Sequence, residues 1–362
     1  MNSKISVLQE DIQYIIDNQR HLLDSFCGHT VLVAGATGLI GSQVIKTILA
    51  YNEIIRNAES SPIEVIGLSR NVERASTVFG DLLYSSNFHM KFTDVANIQD
   101  IKEEIDFIIH GANTTVSKDY VDRPVETINT IVSGTNQVLK LAYDKKVKKM
   151  VYLSTMEIYG RTKDKAERLN ERDLGYIDIL NVRSSYSEGK RMAECLCSSY
   201  AHEYNVPVVI TRLAQVFGAD VSKYDNRVFC QFSKSVINEE DIVLHTTGES
   251  MGNYCYTRDV VIALLLLLQK GQIGEVYNVV NEDTSIKIKD MAYLVANEIA
   301  KGKISVVFDI PKSTLEYGYS PDVTMRLSSK KIEKLGWKST VPLVEMYYRL
   351  IRSYKEQMNC SN

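Results

Sequence analysis

The run Gly35-Ala36-Thr37-Gly38-Leu39-Ile40-Gly41 constrains this chain more than any other, because of what stands on either side of it. Upstream, Thr30-Val31-Leu32-Val33-Ala34 is a continuous apolar, β-branched stretch of the kind that forms a strand buried on both faces. Downstream, Ile40, Val44, Ile45, Ile48 and Leu49 recur at helical spacing, so one face of a helix is suited to lie on a sheet. The glycines therefore predict a strand-to-helix turn. Such a turn lets the backbone approach a pyrophosphate, and the free N–H groups and partial positive charge of the helix N-terminus favour an anion. The spacing is G-x-x-G-x-x-G rather than G-x-G-x-x-G, yet the strand-turn-helix context is the one that dinucleotide binding demands. Gly35, Thr37, Gly38, Leu39, Ile40 and Gly41 are accordingly candidate cofactor-binding residues.

Further strands are expected at Ile63–Leu68, His89–Phe92, Phe107–His110, Met150–Ser154 and Val208–Thr211, separated by helical stretches such as Val125–Tyr143 and Tyr186–Tyr204. Alternation of this kind implies an α/β fold with a doubly wound parallel sheet of Rossmann type. Ligands of such sheets bind beyond the carboxyl ends of the strands, where Gly35, Ser69, Gly111 and Ser154 fall. From about residue 215 the pattern becomes irregular, punctuated by Gly248, Gly252, Gly271 and Gly274, with a last helix near Leu343–Gln357. The expected organisation is an N-terminal helical extension over 1–27, a dinucleotide-binding domain over 28–214, and a smaller substrate lobe formed mainly by 215–362 and interleaved with the first. Ile5, Leu8, Ile12, Ile15, Ile16, Leu22 and Leu23 give the extension an apolar face that packs on its own domain or on a partner subunit.

Composition excludes more than it names. A net charge of −3 over 362 residues leaves no general footprint for nucleic acid or for an anionic membrane. The six cysteines, at 27, 195, 197, 230, 255 and 360, lack C-x-x-C spacing and read as reduced thiols, with no metal site. Glu10, Asp11 and Asp17 interrupt the first apolar residues, so no secretory signal is read, and Val260–Leu268 is too short to span a bilayer. The expected compartment is the cytoplasm.

Tyr186 and Lys190 stand four apart in Ser185-Tyr186-Ser187-Glu188-Gly189-Lys190, on one face of the expected helix. A phenol has an unperturbed pKa of about 10, so it acts as a base near neutrality only if something favours the phenolate, and an adjacent ammonium is one means. Alone the pair is an ordinary helix surface. Behind a glycine-rich nucleotide turn it points to redox chemistry.

The order G-x-x-G-x-x-G, then Leu153-Ser154-Thr155-Met156-Glu157-Ile158-Tyr159-Gly160, then Tyr186-x-x-x-Lys190, resembles the extended short-chain dehydrogenase/reductases, in their nucleotide-sugar epimerase/dehydratase branch. The likeness runs over nearly all the chain after residue 28 and includes Tyr256-Thr257-Arg258-Asp259-Val260 and the closing Leu335-Gly336-Trp337. It implies a catalytic triad of Thr155, Tyr186 and Lys190, with cofactor contacts from Asp94, Val95 and Ala112 and substrate contacts from Thr114, Arg183, Gln215 and Arg227. Tyr186 then removes a sugar hydroxyl proton, Thr155 shares that hydrogen bond, and Lys190 holds the nicotinamide ribose. The implied partners are a nucleotide-sugar substrate and a second copy of the chain in a homodimer.

The triad does not choose the reaction, because a 4-keto sugar opens the way to epimerisation, dehydration or decarboxylation. Glu157 is more selective. The resemblance gives 4,6-dehydratases Asp-Glu after the threonine and UDP-glucuronate decarboxylases a small residue before the Glu; here Met156-Glu157 stands, and Arg183 three before Tyr186 is also decarboxylase-like. Glu157 is thus a fourth catalytic candidate. Ser69-Arg70-Asn71 replaces the usual acidic residue after the second strand, so Ser69 and Arg70 are cofactor-binding candidates and the cofactor is NAD or NADP. Gly252 occupies the position of an arginine that commonly grips the substrate diphosphate, and Gln215 that of an asparagine. An NADPH-dependent keto-sugar reductase and a non-catalytic redox-sensing or scaffold protein are the alternative functions.

Overall fold

The computed structural model describes residues 5–56, 60–98, 101–113, 117–162, 167–310 and 323–359. Among them lie strands β1 Thr30–Ala34, β2 Glu64–Ser69, β3 Phe88–Phe92, β4 Phe107–His110, β5 Lys149–Thr155, β6 Val208–Leu213, β7 Gln215–Phe217, β8 Ile242–Leu244, β9 Met251–Tyr256, β10 Val276–Val279, β11 Asn281–Lys287 and β12 Val306–Phe308. The helices are α1 Val7–Asp24, α2 Leu39–Ile55, α3 Val72–Phe79, α4 Asp119–Asp122, α5 Pro124–Asp144, α6 Ser184–Tyr204, α7 Val228–Asn238, α8 Thr257–Lys270, α9 Ile288–Leu294, α10 Lys330–Glu333 and α11 Leu343–Asn359.

Seven strands form one sheet in the order β10-β6-β5-β4-β1-β2-β3, with every neighbouring pair parallel. Side chains alternate across it. Val31, Val33, Val65, Ile109 and Val151 join the core under α1, α2 and α8, whereas Leu32, Ala34, Ile66, Leu68, Ile108 and Tyr152 join the core under α5 and α6. Both faces are covered, which is why these strands read as unbroken apolar runs. The order reverses between β1 and β4, and this switch point opens a crevice at the strands' carboxyl ends.

The second lobe holds a three-stranded sheet, β11-β9-β7, and the parallel pair β12-β8. An aromatic core fills it, with Phe217 stacked on Phe229 at 4.4 Å and Tyr254 and Tyr347 against them. The division at residue 214 is porous. Val276 pairs with Ile210, so β10 returns to the edge of the main sheet, and the apolar run of α8 packs beneath it with α1 and α2. Among the described residues, no helix is long and apolar enough to cross a membrane.

The N-terminal extension packs on its own chain. Its helix begins in a capping box, the Gln9 amide donating to Ser6 Oγ at 3.2 Å and the Ser6 amide donating to Gln9 Oε1 at 2.9 Å. One turn on, the buried Asp11 accepts from Tyr256 OH at 2.6 Å and from Arg349 at 2.9 Å, and Arg258 lies 3.3 Å away. Asp259, next in that segment, accepts at 2.7 Å from the Thr340 amide, and its carbonyl accepts from the Trp337 indole at 2.9 Å. The two C-terminal motifs of the sequence are therefore sewn to each other and to α1. Asp11→Asn leaves Arg258 and Arg349 against a neutral amide, and the urea unfolding free energy should fall by about 1.5–3 kcal/mol, the worth of hydrogen bonds to a charged group. A loss below about 0.5 kcal/mol, the usual effect of a surface change, would mean the clamp is redundant.

Candidate active site

The glycine turn sits where its sequence placed it, between β1 and α2. Gly35 has φ +92°, and a Cβ there would lie 2.9 Å from the Ala112 nitrogen after β4, so a side chain is excluded twice over. Gly41 is in α2, and its Cβ would meet the Gly35 carbonyl oxygen at 2.4 Å. Helix and turn can close on one another only with glycine at both places. Gly38 is the N-cap and supplies no side-chain acceptor, so the amides of Leu39 and Ile40 are presented toward the crevice end of the sheet. Thr37 Oγ1 and Ser69 Oγ lie 3.2 Å apart, and Arg74 Nε donates to the Thr37 carbonyl at 3.2 Å, bracing the loop from β2 and α3. This cradle of backbone donors fits a dinucleotide pyrophosphate.

Asp94 caps the short turn after β3, accepting from the Ala96 amide at 2.9 Å, while Val95 is buried against Gly134 of α5. The Arg70 guanidinium lies 3.4 Å from Asp94 Oδ2 at the exposed rim. The parallel register Ser69↔Phe92 brings the ends of β2 and β3 together, so two residues expected to meet different parts of a cofactor meet each other.

Beyond β5 the expected catalytic residues converge. Thr155 ends the strand, and its Oγ1 accepts from the Glu157 amide at 3.3 Å. Tyr186 is 6% exposed and lies in the first turn of the 21-residue α6, whose N-terminal partial charge favours an anion. Burial pushes its phenol well above the ordinary range and the Glu157 charge adds to this, while hydrogen bonding to Thr155, Tyr120 and Asn113 pulls it back down. Lys190 Nζ donates to the Leu153 carbonyl at 2.6 Å and to Asn113 Oδ1 at 3.1 Å, above the Tyr152 ring. Helical adjacency puts the two side chains on one face, and the β5 carbonyl holds the ammonium there. Burial lowers the Lys190 pKa to about 7, against the charge of Glu194 one turn on.

Glu194 is itself buried. It takes Arg212 through Nε at 3.0 Å and Nη2 at 2.7 Å and accepts from Ser154 Oγ at 2.5 Å. Arg212 continues to Tyr159 OH at 3.2 Å, and Tyr159 donates to Asn278 of β10 at 2.7 Å. This network fixes β5 against α6 directly behind Thr155 and Lys190.

Glu157 and Arg183 form an ion pair at 2.9 Å, both part-buried. The guanidinium is not fully used: Arg183 Nε is buried and has no hydrogen-bond partner among the described residues. Two other expected substrate contacts, Arg227 and Gln215, lie in the second lobe. Arg227 is held by Asp225 through Nη2 at 2.6 Å and Nε at 3.0 Å, and Gln215 lies on β7 opposite Tyr254. At Gly252 a Cβ would make an ordinary van der Waals contact with Met156 Cε at 3.8 Å. Thr114 lies outside the described residues.

Two site residues were missed by sequence reasoning. Asn113, between the expected Ala112 and Thr114, contacts both Lys190 and Tyr186; its only sequence signal was its place after a strand end. Tyr120 stacks on Tyr186 and belongs to no motif.

The family model described as "NAD dependent epimerase/dehydratase family" matches residues 31–280. The chain is 28% identical to a Bos taurus dTDP-D-glucose 4,6-dehydratase over 93% of its own length and 91% of that protein's. It is 25% identical to the Xenopus tropicalis UDP-glucuronic acid decarboxylase 1 over 91% of this chain and 72% of that protein. Its fold superimposes on the Bacillus cereus UDP-glucuronic acid 4-epimerase, solved with UDP-glucuronic acid and NAD, with TM-score 0.73, 21% identity and coverage of 91% and 99% of the two chains.

Proposed function

The chain belongs to the NAD dependent epimerase/dehydratase family, and from that premise we propose that it transforms a nucleotide sugar through a transient 4-keto sugar, with decarboxylation of a nucleotide-linked uronate as the outcome. The observation that carries this reading is Arg183. A half-used guanidinium, with a buried Nε that has no partner among the described residues, stands beside the catalytic candidates and is suited to a substrate carboxylate, which accepts from an arginine fork in two places. Glu157, now satisfying part of that fork, stands next to Thr155 and is the acid or base for the step after oxidation.

Bound NAD supplies the acceptor, and later the donor, of a hydride at C4 of the sugar. The chain's own residues do the rest. Backbone amides of the 35–41 turn hold the pyrophosphate; Ser69, Arg70, Asp94, Val95 and Ala112 line the adenosine side. Lys190 uses two of its three donors on Leu153 and Asn113, leaving one for a ribose hydroxyl. Tyr186 takes the proton of the 4-hydroxyl, with Thr155 bonded to the same oxygen. The second lobe would close over the sugar nucleotide, with Gln215, Arg227 and Thr114 as its expected contacts. For a homodimer, exposed Val125 and Ile128 on α5 and Met192 on α6 offer an apolar face. We place the reaction in the cytoplasm, in keeping with unpaired cysteines at 27, 195, 197, 230 and 255.

A panel of nucleotide sugars incubated with the protein and NAD, with products read by NMR and mass, tests the outcome. Loss of carbon dioxide from UDP-glucuronate is the expected result. A 4-keto-6-deoxy product from dTDP-glucose, or clean inversion at C4, would replace it with the dehydratase or epimerase reading. The NADPH-dependent reductase alternative rests on Ser69-Arg70. Arg70→Ala separates the two, weakening NADP by about 1.5–3 kcal/mol but hardly touching NAD if the guanidinium leaves Asp94 for a 2′-phosphate. Equal effects on both cofactors would confine Arg70 to its ion pair.

A further inference from the structure

The segment after β4 threads between the nucleotide turn and the catalytic helix. The Gly111 amide donates to the Ala34 carbonyl at 2.9 Å, and the Ala112 nitrogen packs so close to Gly35 that a Cβ on Gly35 would stand 2.9 Å from it. On the other side β4 pairs in parallel with β5, His110 opposite Tyr152, and a Cβ on Gly111 would come within 3.0 Å of Leu153 Cδ2. Two residues on, the Asn113 side chain reaches Lys190, whose ammonium donates to Asn113 Oδ1 at 3.1 Å and to the Leu153 carbonyl at 2.6 Å. Lys190 is 2% exposed, and its Nζ lies 4.7 Å from the centre of the Tyr152 ring. Two neighbouring strands thus deliver two acceptors to one ammonium. Its three N–H groups are set at tetrahedral angles. Held at Leu153 alone, the ammonium can swing about that one bond; held at two points, its third N–H is left a single direction. The kind of acceptor matters as well. Burial disfavours the charged amine, and hydrogen bonds to acceptors favour it. A carboxylate at 113 would do this by cancelling the charge, whereas an amide oxygen accepts and leaves the positive charge to a ligand.

We propose that Asn113 is a positioning residue for Lys190, holding the ammonium at a second point so that its remaining N–H is aimed at the nicotinamide ribose. The proposal rests on Lys190 being the group that holds that ribose. Glu194, one turn further along α6, is engaged by Arg212 and Ser154, so Asn113 and Leu153 are the acceptors that Nζ meets among the described residues. The stretch 111–113 gains a double role. Its backbone packs against the turn assigned to the pyrophosphate, and its side chain orients the donor assigned to the ribose.

The direct test is NMR of the protein carrying lysine labelled with nitrogen-15 at the ζ position, at about pH 6, below the pKa of about 7 to which burial brings this amine. The Lys190 signal is identified by its loss in Lys190→Met. Asn113→Ala should speed exchange of the ammonium protons with water by about tenfold or more, as loss of one of two hydrogen bonds to a charged group implies. Asn113→Asp keeps an acceptor at the same reach and should restore slow exchange. Calorimetric titration with NAD supplies the functional arm. Asn113→Ala should weaken NAD binding by about tenfold, while KM for UDP-glucuronate at saturating NAD stays close to that of the parent. Added to Lys190→Met, the same change should cost nothing further, because the group through which Asn113 acts is gone. Parental exchange in Asn113→Ala, or NAD losses that add in the double variant, would overturn the proposal. Undiminished NAD affinity in Lys190→Met would instead overturn the ribose assignment, and the ammonium exchange would still judge the hydrogen bond by itself.

Discussion

Tyr186→Phe should lower turnover by about 10²–10⁴-fold, the usual contribution of a positioned general base, while leaving NAD affinity close to that of the parent. The ring remains able to stack on Tyr120 at 4.3 Å, so the first turn of α6 keeps its packing and only the proton acceptor is lost. Lys190→Ala should behave differently. Removing the ammonium leaves the Leu153 carbonyl without its 2.6 Å donor and takes away the group proposed to hold the cofactor ribose, so affinity and turnover fall together. Calorimetric titration with NAD and single-turnover absorbance of the reduced nicotinamide distinguish the two patterns. Near-parental turnover in Tyr186→Phe would remove the mechanism proposed for this site.

The sheet was legible because its signals are local. β1 and β4 begin and end on the residues that their apolar runs mark, and the other expected strands of the sheet differ at their ends by only one or two residues. A strand buried on both faces has no polar positions to confuse its limits, and glycine at 35 records a backbone conformation that other residues resist. Thr155, Tyr186 and Lys190 were legible as a spacing. Their environment was not. Lys190 reaches the Leu153 carbonyl because α6 lies against β5, a fact of packing that i,i+4 spacing does not contain. Tyr120 reaches Tyr186 from a four-residue helix 66 positions earlier by the residue numbers, and nothing in its neighbours announces it. The same holds for Arg70 and Asp94, which meet only once β2 and β3 are in register. Arg227 is the opposite case. Asp225, two residues before, was a visible competitor for its charge, and it is Asp225 that holds the guanidinium. The return of β10 to the main sheet was hidden because four residues, Val276–Val279, carry too short a pattern to assign to one sheet or another.

Glu157→Gln should separate the two halves of the proposed reaction. Tyr186 and Thr155 are untouched, and removing the negative charge that opposes ionisation of the phenol should, if anything, help the first proton transfer. The amide oxygen can still accept from Arg183 Nη1, which now donates to the carboxylate at 2.9 Å, so the pocket keeps its shape. What the amide cannot do is exchange a proton in the step that follows oxidation. With UDP-glucuronate, absorbance of the reduced nicotinamide should therefore build in a single turnover, a 4-keto uronate should accumulate, and final product should fall by about 10²–10⁴-fold. The Arg183 side of the site is tested in the same experiment. If that guanidinium receives the substrate carboxylate, loss of its competing ion pair in Glu157→Gln should leave KM unchanged or lower it, because the carboxylate no longer has to displace a bound anion. Product formation at the parental rate would make Glu157 a partner of Arg183 and nothing more, and the triad would then be left to epimerisation or to reduction of a keto sugar made elsewhere.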